Sequence, residues 1–290
     1  MIGVDNILNI LKITIYTGAL TGEDPLSTAI ISPIGTGKTT MVKKTHREGT
    51  INKVKIREGK PNEKTIEVRG ITGSVLYTTS TTPYILYTRY GQELKSGQIR
   101  HIAIGDFLNI MNLPKYLLGN VITFYNNLIE EGILSIESRD GQFLSNLPVT
   151  VGLITTIAKE DFDKRQDDWA AIGFLSRILP VSFHYSLETA KKVRQSIKNK
   201  DYLNDLQSFD IQLPRPKNIG LPSNLADLIE DVALRIKDSK DELGARRLKQ
   251  LQRFCMGNAL MNGRDEVSWE DIALLNDYEK YLNTKCTAEI

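Results

Sequence analysis

The sequence predicts an α/β protein: a parallel sheet flanked by helices, followed by a small all-α unit at the C-terminal end. Three observations predict it. Short apolar runs of strand character alternate with helix-patterned segments through the first two thirds of the 290 residues, the order of strands joined by helical crossovers. The run "LSTAIIS" (26–32) leads into a glycine-bearing turn and then a lysine-rich helix. From Ser223 onward the apolar spacing is purely helical.

Each element has its own local cause. "VDNILNILKITIYTGAL" repeats apolar residues at helical spacing and is expected to end near Gly18. "LSTAIIS" is a short buried-type strand, and "KTTMVKKTHRE" is the helix after the turn. "NKVKIREG" and "KTIEVRGI" alternate around Gly59, Pro61 and Asn62 as a strand pair. "SVLYTTSTT" and "PYILYTRY" bracket a further strand and helix, and "RHIAIGDF" (100–107) is a buried strand ending in an acid. "PKYLLGNVITFYNNLIEEG" (114–132) carries proline at its start and Gly132 at its end, the asymmetry of a helix. "ILSIESRDGQFLS" turns at Asp140-Gly141, a hairpin signal. "VTVGLITTIA" (149–158) is another buried strand, "DDWAAIGFLSRIL" a helix and "PVSFHYS" a strand. Residues 191–222 are basic, then irregular and proline-bearing, and read as a linker.

Composition excludes several classes. Hydrophobic residues are 41% and charged residues 25%, ordinary for a globular chain. A formal net charge of +2 announces no polyanion partner, so contact with nucleic acid must come from local patches. The two cysteines, Cys255 and Cys286, lie far apart in no metal-ligand spacing, which fits a reducing compartment. No apolar run reaches membrane-spanning length, and the N-terminus lacks a signal-peptide pattern. The expectation is a cytoplasmic protein with no membrane partner.

The segment "AIISPIGTGKTTMVKK" (29–44) carries the chemistry. A phosphate loop needs glycines that let backbone N–H groups converge, a lysine for the β- and γ-phosphates and a hydroxyl for Mg²⁺. Gly35, Gly37, Lys38 and Thr39 supply these, with Thr36 and Thr40 beside them. Ser32 stands where the usual pattern has its first glycine, and a small residue there still permits the turn.

"SPIGTGKTT" resembles the phosphate loop of AAA+ ATPases, and the later elements follow that family's order. The resemblance implies ATP and Mg²⁺ as cofactors. It makes "HIAIGDF" the metal-side strand, with Asp106 as the metal-side acid next to Thr39. The family's water-polarising glutamate would follow, but Phe107 occupies that position. Slow hydrolysis, or another acid such as Glu130 or Glu131, is then expected. "VGLITTIAKEDF" resembles the strand whose polar end senses the γ-phosphate, with Thr155 and Thr156 as candidates. "GFLSRILPVSF" resembles a segment of minichromosome maintenance helicases, placing Arg177 as a finger that reaches a neighbour's nucleotide. The tail from "GARRLKQLQ" to "EVSWEDI" resembles the helical lid of those helicases and of MoxR-type ATPases. There Arg246, with Arg247 as second choice, bends over the γ-phosphate. Ser268 and Asp271 form a capping box in that tail. The hairpin at Asp140-Gly141, with Arg139 at its tip and Phe143 after it, resembles the pore hairpin of a clade containing these helicases.

The resemblance divides the chain into an AAA+ nucleotide-binding domain (1–190), a linker (191–222) and a helical lid (223–290). It implies a homo-oligomer, ring or helical, with ATP sites between subunits and DNA as the substrate being remodelled. A MoxR-like remodeller of a protein partner, and a nucleotide-gated scaffold that barely hydrolyses ATP, are the alternatives.

Overall fold

A computed structural model describes residues 2–45, 71–72, 75–78, 83–138, 141–200, 211, 213–236 and 244–290. The strand pair expected around Gly59 and the hairpin-tip Arg139 lie outside the described residues. The chain opens with helix α1 (Asp5–Tyr16), whose Ile7, Ile10, Leu11 and Ile15 are buried. Strand β1 (Thr28–Ser32) follows, then the loop and helix α2 (Lys38–Lys43). Strands β2 (Ile71–Thr72) and β3 (Val75–Thr78) precede helix α3 (Pro83–Lys95) and strand β4 (His101–Ile104). A short helix α4 (Leu108–Met111) and the longer α5 (Lys115–Asn126) lead to a wide π turn, Asn127–Glu131. The hairpin comprises β5 (Ile133–Ser138) and β6 (Gly141–Val149), paired antiparallel as the Asp140-Gly141 signal implies.

Strand β7 (Gly152–Ala158) runs into helix α6 (Lys159–Ala171). That helix begins earlier than the sequence pattern places it and stops short of the arginine, because Gly173 adopts φ +71°. Residues Leu175–Arg177 instead form a 3-10 turn before β8 (Leu179–Ser182). The segment expected as linker opens within helix α7 (Leu187–Asn199), capped by the Ser186 hydroxyl. The remaining helices are α8 (Ser223–Ile236), α9 (Ala245–Met261) and α10 (Trp269–Tyr278).

The main sheet has the order β2-β3-β4-β7-β1-β8, in which β3, β4, β7, β1 and β8 run parallel and β2 is antiparallel. Period-two alternation divides β1 between two cores: Ile30 joins α1 and the C-terminal helices, while Ala29 and Ile31 join α3 through α6. Helices therefore cover both faces, as a parallel sheet requires. Strand β1 is one strand in from the β8 edge, between β7 and β8, and the chain from β7 to β8 crosses over it. The crevice at its carboxyl end is the switch point where α/β sheets bind ligands. This is a P-loop NTPase fold, with the loop in that crevice.

Candidate functional site

The loop between β1 and α2 is built as the glycine pattern requires. Gly35 and Gly37 take φ +83° and +79°, the left-handed region that side chains disfavour. Ser32 needs no such freedom, because it is still the last residue of β1. Its buried hydroxyl lies 2.5 Å from the Thr36 hydroxyl and closes the base of the loop. The Lys38 ammonium folds back and donates to the carbonyls of Ser32 at 2.7 Å and Pro33 at 2.8 Å. Burial lowers its pKa, opposed first by Glu160 and then by Asp106, Cys286 and Asp161.

The residues expected on the metal side, Thr39 and Asp106, meet at the end of β4. The Thr39 hydroxyl donates to the Gly105 carbonyl at 3.1 Å, and the Thr156 hydroxyl donates to the same oxygen at 2.7 Å. Gly105 is required there: a Cβ on it would sit 2.6 Å from the Tyr77 hydroxyl and 3.1 Å from Thr39 Cγ2. The next residue, Asp106, accepts the Leu108 N–H on Oδ1 at 3.0 Å, an acid that also caps a turn. A threonine hydroxyl beside a carboxylate is a hard-oxygen pair suited to a Mg²⁺ whose other ligands are phosphate and water. Among the described residues no three His, Cys, Asp or Glu side chains gather into a metal site of their own, which such a nucleotide-borne ion does not need.

Several expected residues have different work. Thr155 donates to the Ile104 carbonyl at 2.9 Å, so with Thr156 it ties β7 to the end of β4. Phe107 is fully buried, stacked on Phe174 at 4.7 Å and edge-on to Tyr125 and Trp169. Glu130 and Glu131 cannot supply the missing acid beside the loop of their own chain, because they sit at the other end of the sheet with Arg177.

That other end is fixed by register. Leu179, two residues after Arg177, pairs with Thr28 at the start of β1, whereas the loop follows Ser32 at its end. Four strand steps of ~3.3 Å separate the two levels by ~13 Å. Arg177 Nε lies 2.7 Å from Glu130 Oε2, and its Nη1 donates to the Gly173 carbonyl at 2.9 Å. Arg246 joins it there. Its Nε bonds Glu130 Oε1 at 3.0 Å and its Nη1 donates to the Ser176 hydroxyl at 3.1 Å. Arg246 thus lies with Arg177, away from the loop of its own chain. Arg247, the second choice, is buried and donates to Gln250 at 2.7 Å. The capping box is present, with the Ser268 N–H donating to Asp271 at 2.8 Å. The shorter acid suits its burial, since Asn258 also donates to it at 2.6 Å.

The structure adds two residues near the loop that sequence reasoning missed. The Tyr185 hydroxyl donates to the Thr36 carbonyl at 2.9 Å. Glu160 stands two residues beyond Ala158, the strand partner of Ser32, and exerts the largest opposing charge effect on Lys38. No sequence spacing marks either, because both arrive through strand register.

This loop and this strand order, with Thr39 and Asp106 at the neighbouring strand end, are those of a P-loop NTPase fold. No family model matches the sequence, and no curated protein does. Among solved structures the chain is similar to a full-length MCM homolog from Methanopyrus kandleri, with 12% identity and a TM-score of 0.49. The match covers 98% of this chain and 56% of that one, so this chain spans little more than half its length.

Proposed function

We propose that this chain is an AAA+ ATPase that binds ATP-Mg²⁺ between subunits of a homo-oligomer and uses it to remodel DNA, as a helicase or loader does. One observation carries the shared-site reading: the loop and the two arginines lie at opposite ends of one sheet. An arginine side chain is shorter than that separation, so a phosphate held by Lys38 meets Arg177 and Arg246 of the next subunit. Thr39 and Asp106 would hold the Mg²⁺, which shields phosphate charge when bound. The Lys38 ammonium would leave its loop carbonyls for the β- and γ-phosphates. Glu160 is the carboxylate we assign to accept the proton of the attacking water.

DNA as substrate rests on the helicase-like "GFLSR" segment and its hairpin. The burial of Phe107 favours a second reading, a scaffold that assembles with ATP and hydrolyses it slowly. No described helix is long and apolar enough to cross a membrane. The division into a nucleotide domain (1–190), a connecting segment (191–222) and a lid (223–290) belongs to the same proposal. The deciding experiment is ATP turnover with and without DNA, alongside particle size with and without nucleotide. A particle that stays monomeric with ATP refutes the shared site. Turnover indifferent to DNA at low and high salt removes the DNA assignment, since phosphate contacts are salt-sensitive, and redirects the search to a MoxR-like protein partner.

A further inference from the structure

Glu130 has a place in the structure that the role of a surface acid does not explain. Helix α5 ends by widening into the π turn Asn127–Glu131, with the Gly132 N–H donating to the Asn127 carbonyl at 2.7 Å. A π turn holds more residues than an α turn, re-aims the side chains after it and recurs at functional sites. Leu128 and Ile129 stay buried, while the half-buried Glu130 reaches Arg177 and Arg246. Gly132 then leaves the turn at φ +77°, and a Cβ on it would lie 2.5 Å from Pro148.

Each oxygen of Glu130 meets the Nε side of a different arginine: Oε2 lies 2.7 Å from Arg177 and Oε1 3.0 Å from Arg246. Each guanidinium has a second anchor on the 3-10 segment, the Gly173 carbonyl for Arg177 and the Ser176 hydroxyl for Arg246. Gln250, on the same helix as Arg246, donates to the Ser176 carbonyl at 3.0 Å and locks that segment to α9. Arg246 is thus fixed by two hydrogen bonds, and Arg177 by one hydrogen bond and a close ion pair, which restricts how each planar guanidinium can turn. The Glu130 carboxylate between the two cations offsets their mutual repulsion, and Glu131, 3.6 Å from Arg177 Nη2, brings a second carboxylate to the cluster. Glu130, Arg177 and Arg246 line a cleft of about 110 Å³ that Lys249, Arg253 and Asp24 also border, with Arg253 paired to Asp24 at 2.9 Å.

We propose that Glu130 is a positioning residue that sets Arg177 and Arg246 as one paired grip for the triphosphate held by the adjoining subunit. The inference rests on the shared-site reading above. It distinguishes Glu130 from an ion pair that merely ties α5 to α9.

The test uses the full chain and mixed subunits. Glu130→Ala alone should bind ATP as the wild type does but turn it over more slowly, on the order of tenfold to a hundredfold. Mixed with Lys38→Ala it should regain activity, since its intact loop then meets intact arginines. Mixed with Arg177→Ala it should gain nothing, since both variants lack a working grip. A merely structural role damages the loop side as well and gives no rescue with Lys38→Ala. Glu130→Gln, which keeps the shape, repeats the series if the alanine variant folds poorly. The Arg177→Ala and Lys38→Ala mixture is the control: without rescue there, the shared site itself fails and this inference falls with it. With that control intact, wild-type or faster turnover by Glu130→Ala and Glu130→Gln, or no rescue by Lys38→Ala, overturns the assignment of Glu130 alone.

Discussion

Replacing Phe107 by alanine should unfold the protein more readily without touching the nucleotide loop. The ring is fully buried, stacks on Phe174 with planes 12° apart and meets Tyr125 and Trp169 edge-on. Truncating such a ring removes its transfer energy and leaves a cavity, about 3–5 kcal/mol together. At roughly 2 °C per kcal/mol for a chain of this size, the melting temperature should fall by about 6–10 °C. Equilibrium urea unfolding of wild type and variant measures the loss directly, through a shifted midpoint at unchanged slope. Phe107→Glu, which restores the residue that the AAA+ resemblance leads one to expect, should be worse, because a carboxylate there would be buried among the rings of Tyr125, Trp169 and Phe174. A loss below about 1 kcal/mol, or a Phe107→Glu protein that folds normally and turns over ATP faster, would show that position 107 faces the nucleotide.

Further outcomes follow from the same geometry. Lys38→Ala should weaken ATP binding by roughly a hundredfold, the worth of a charged hydrogen-bonding partner at about 2–3 kcal/mol; unchanged affinity by titration calorimetry would remove the phosphate site. Asp106→Asn should leave ATP affinity nearly intact and raise the Mg²⁺ concentration needed for half-maximal turnover, since the amide keeps the cap but loses the charge; an unchanged Mg²⁺ curve would make Asp106 a cap only. Glu160→Gln should cut turnover on the order of a hundredfold while ATP still binds, and turnover equal to wild type would exclude Glu160 as the proton acceptor. His101, buried between Gly18 and Gly152, has its pKa driven down to about 3 by burial, with Arg100 adding to the effect. The unfolded chain takes up a proton below pH ~6.5 that the folded chain refuses. The stability His101 contributes is therefore complete above that pH and declines toward pH 3, by up to ~1.4 kcal/mol per unit. His101→Leu should flatten the difference between pH 6.5 and 5, and identical slopes in the two proteins would refute it.

What the sequence disclosed and what it hid divide by distance along the chain. The phosphate loop was legible because strand end, glycines, lysine and threonine are contiguous, and each acts on its immediate neighbours. The order "GD" after β4 was legible for the same reason. Phe107 announced itself as a departure, yet its partners Tyr125, Trp169 and Phe174 lie 18 or more positions away, so the aromatic cluster was invisible. Glu130 and Arg246 are separated by 116 positions, and only helix packing brings them together. That packing turns on Gly257: a Cβ there would lie 2.7 Å from Thr17 and 3.0 Å from the Ile13 carbonyl, so its absence lets α9 settle onto α1. With the middle of α9 seated, its first turn points to the 3-10 segment at the amino end of β8, and Arg247 turns inward while Arg246 turns to the edge. An arginine assigned by motif alone could not be given an end of the sheet. The end bears on the mechanism, because it makes Arg246 a partner of Arg177 and, in the shared site proposed above, sets both against a neighbour's phosphates.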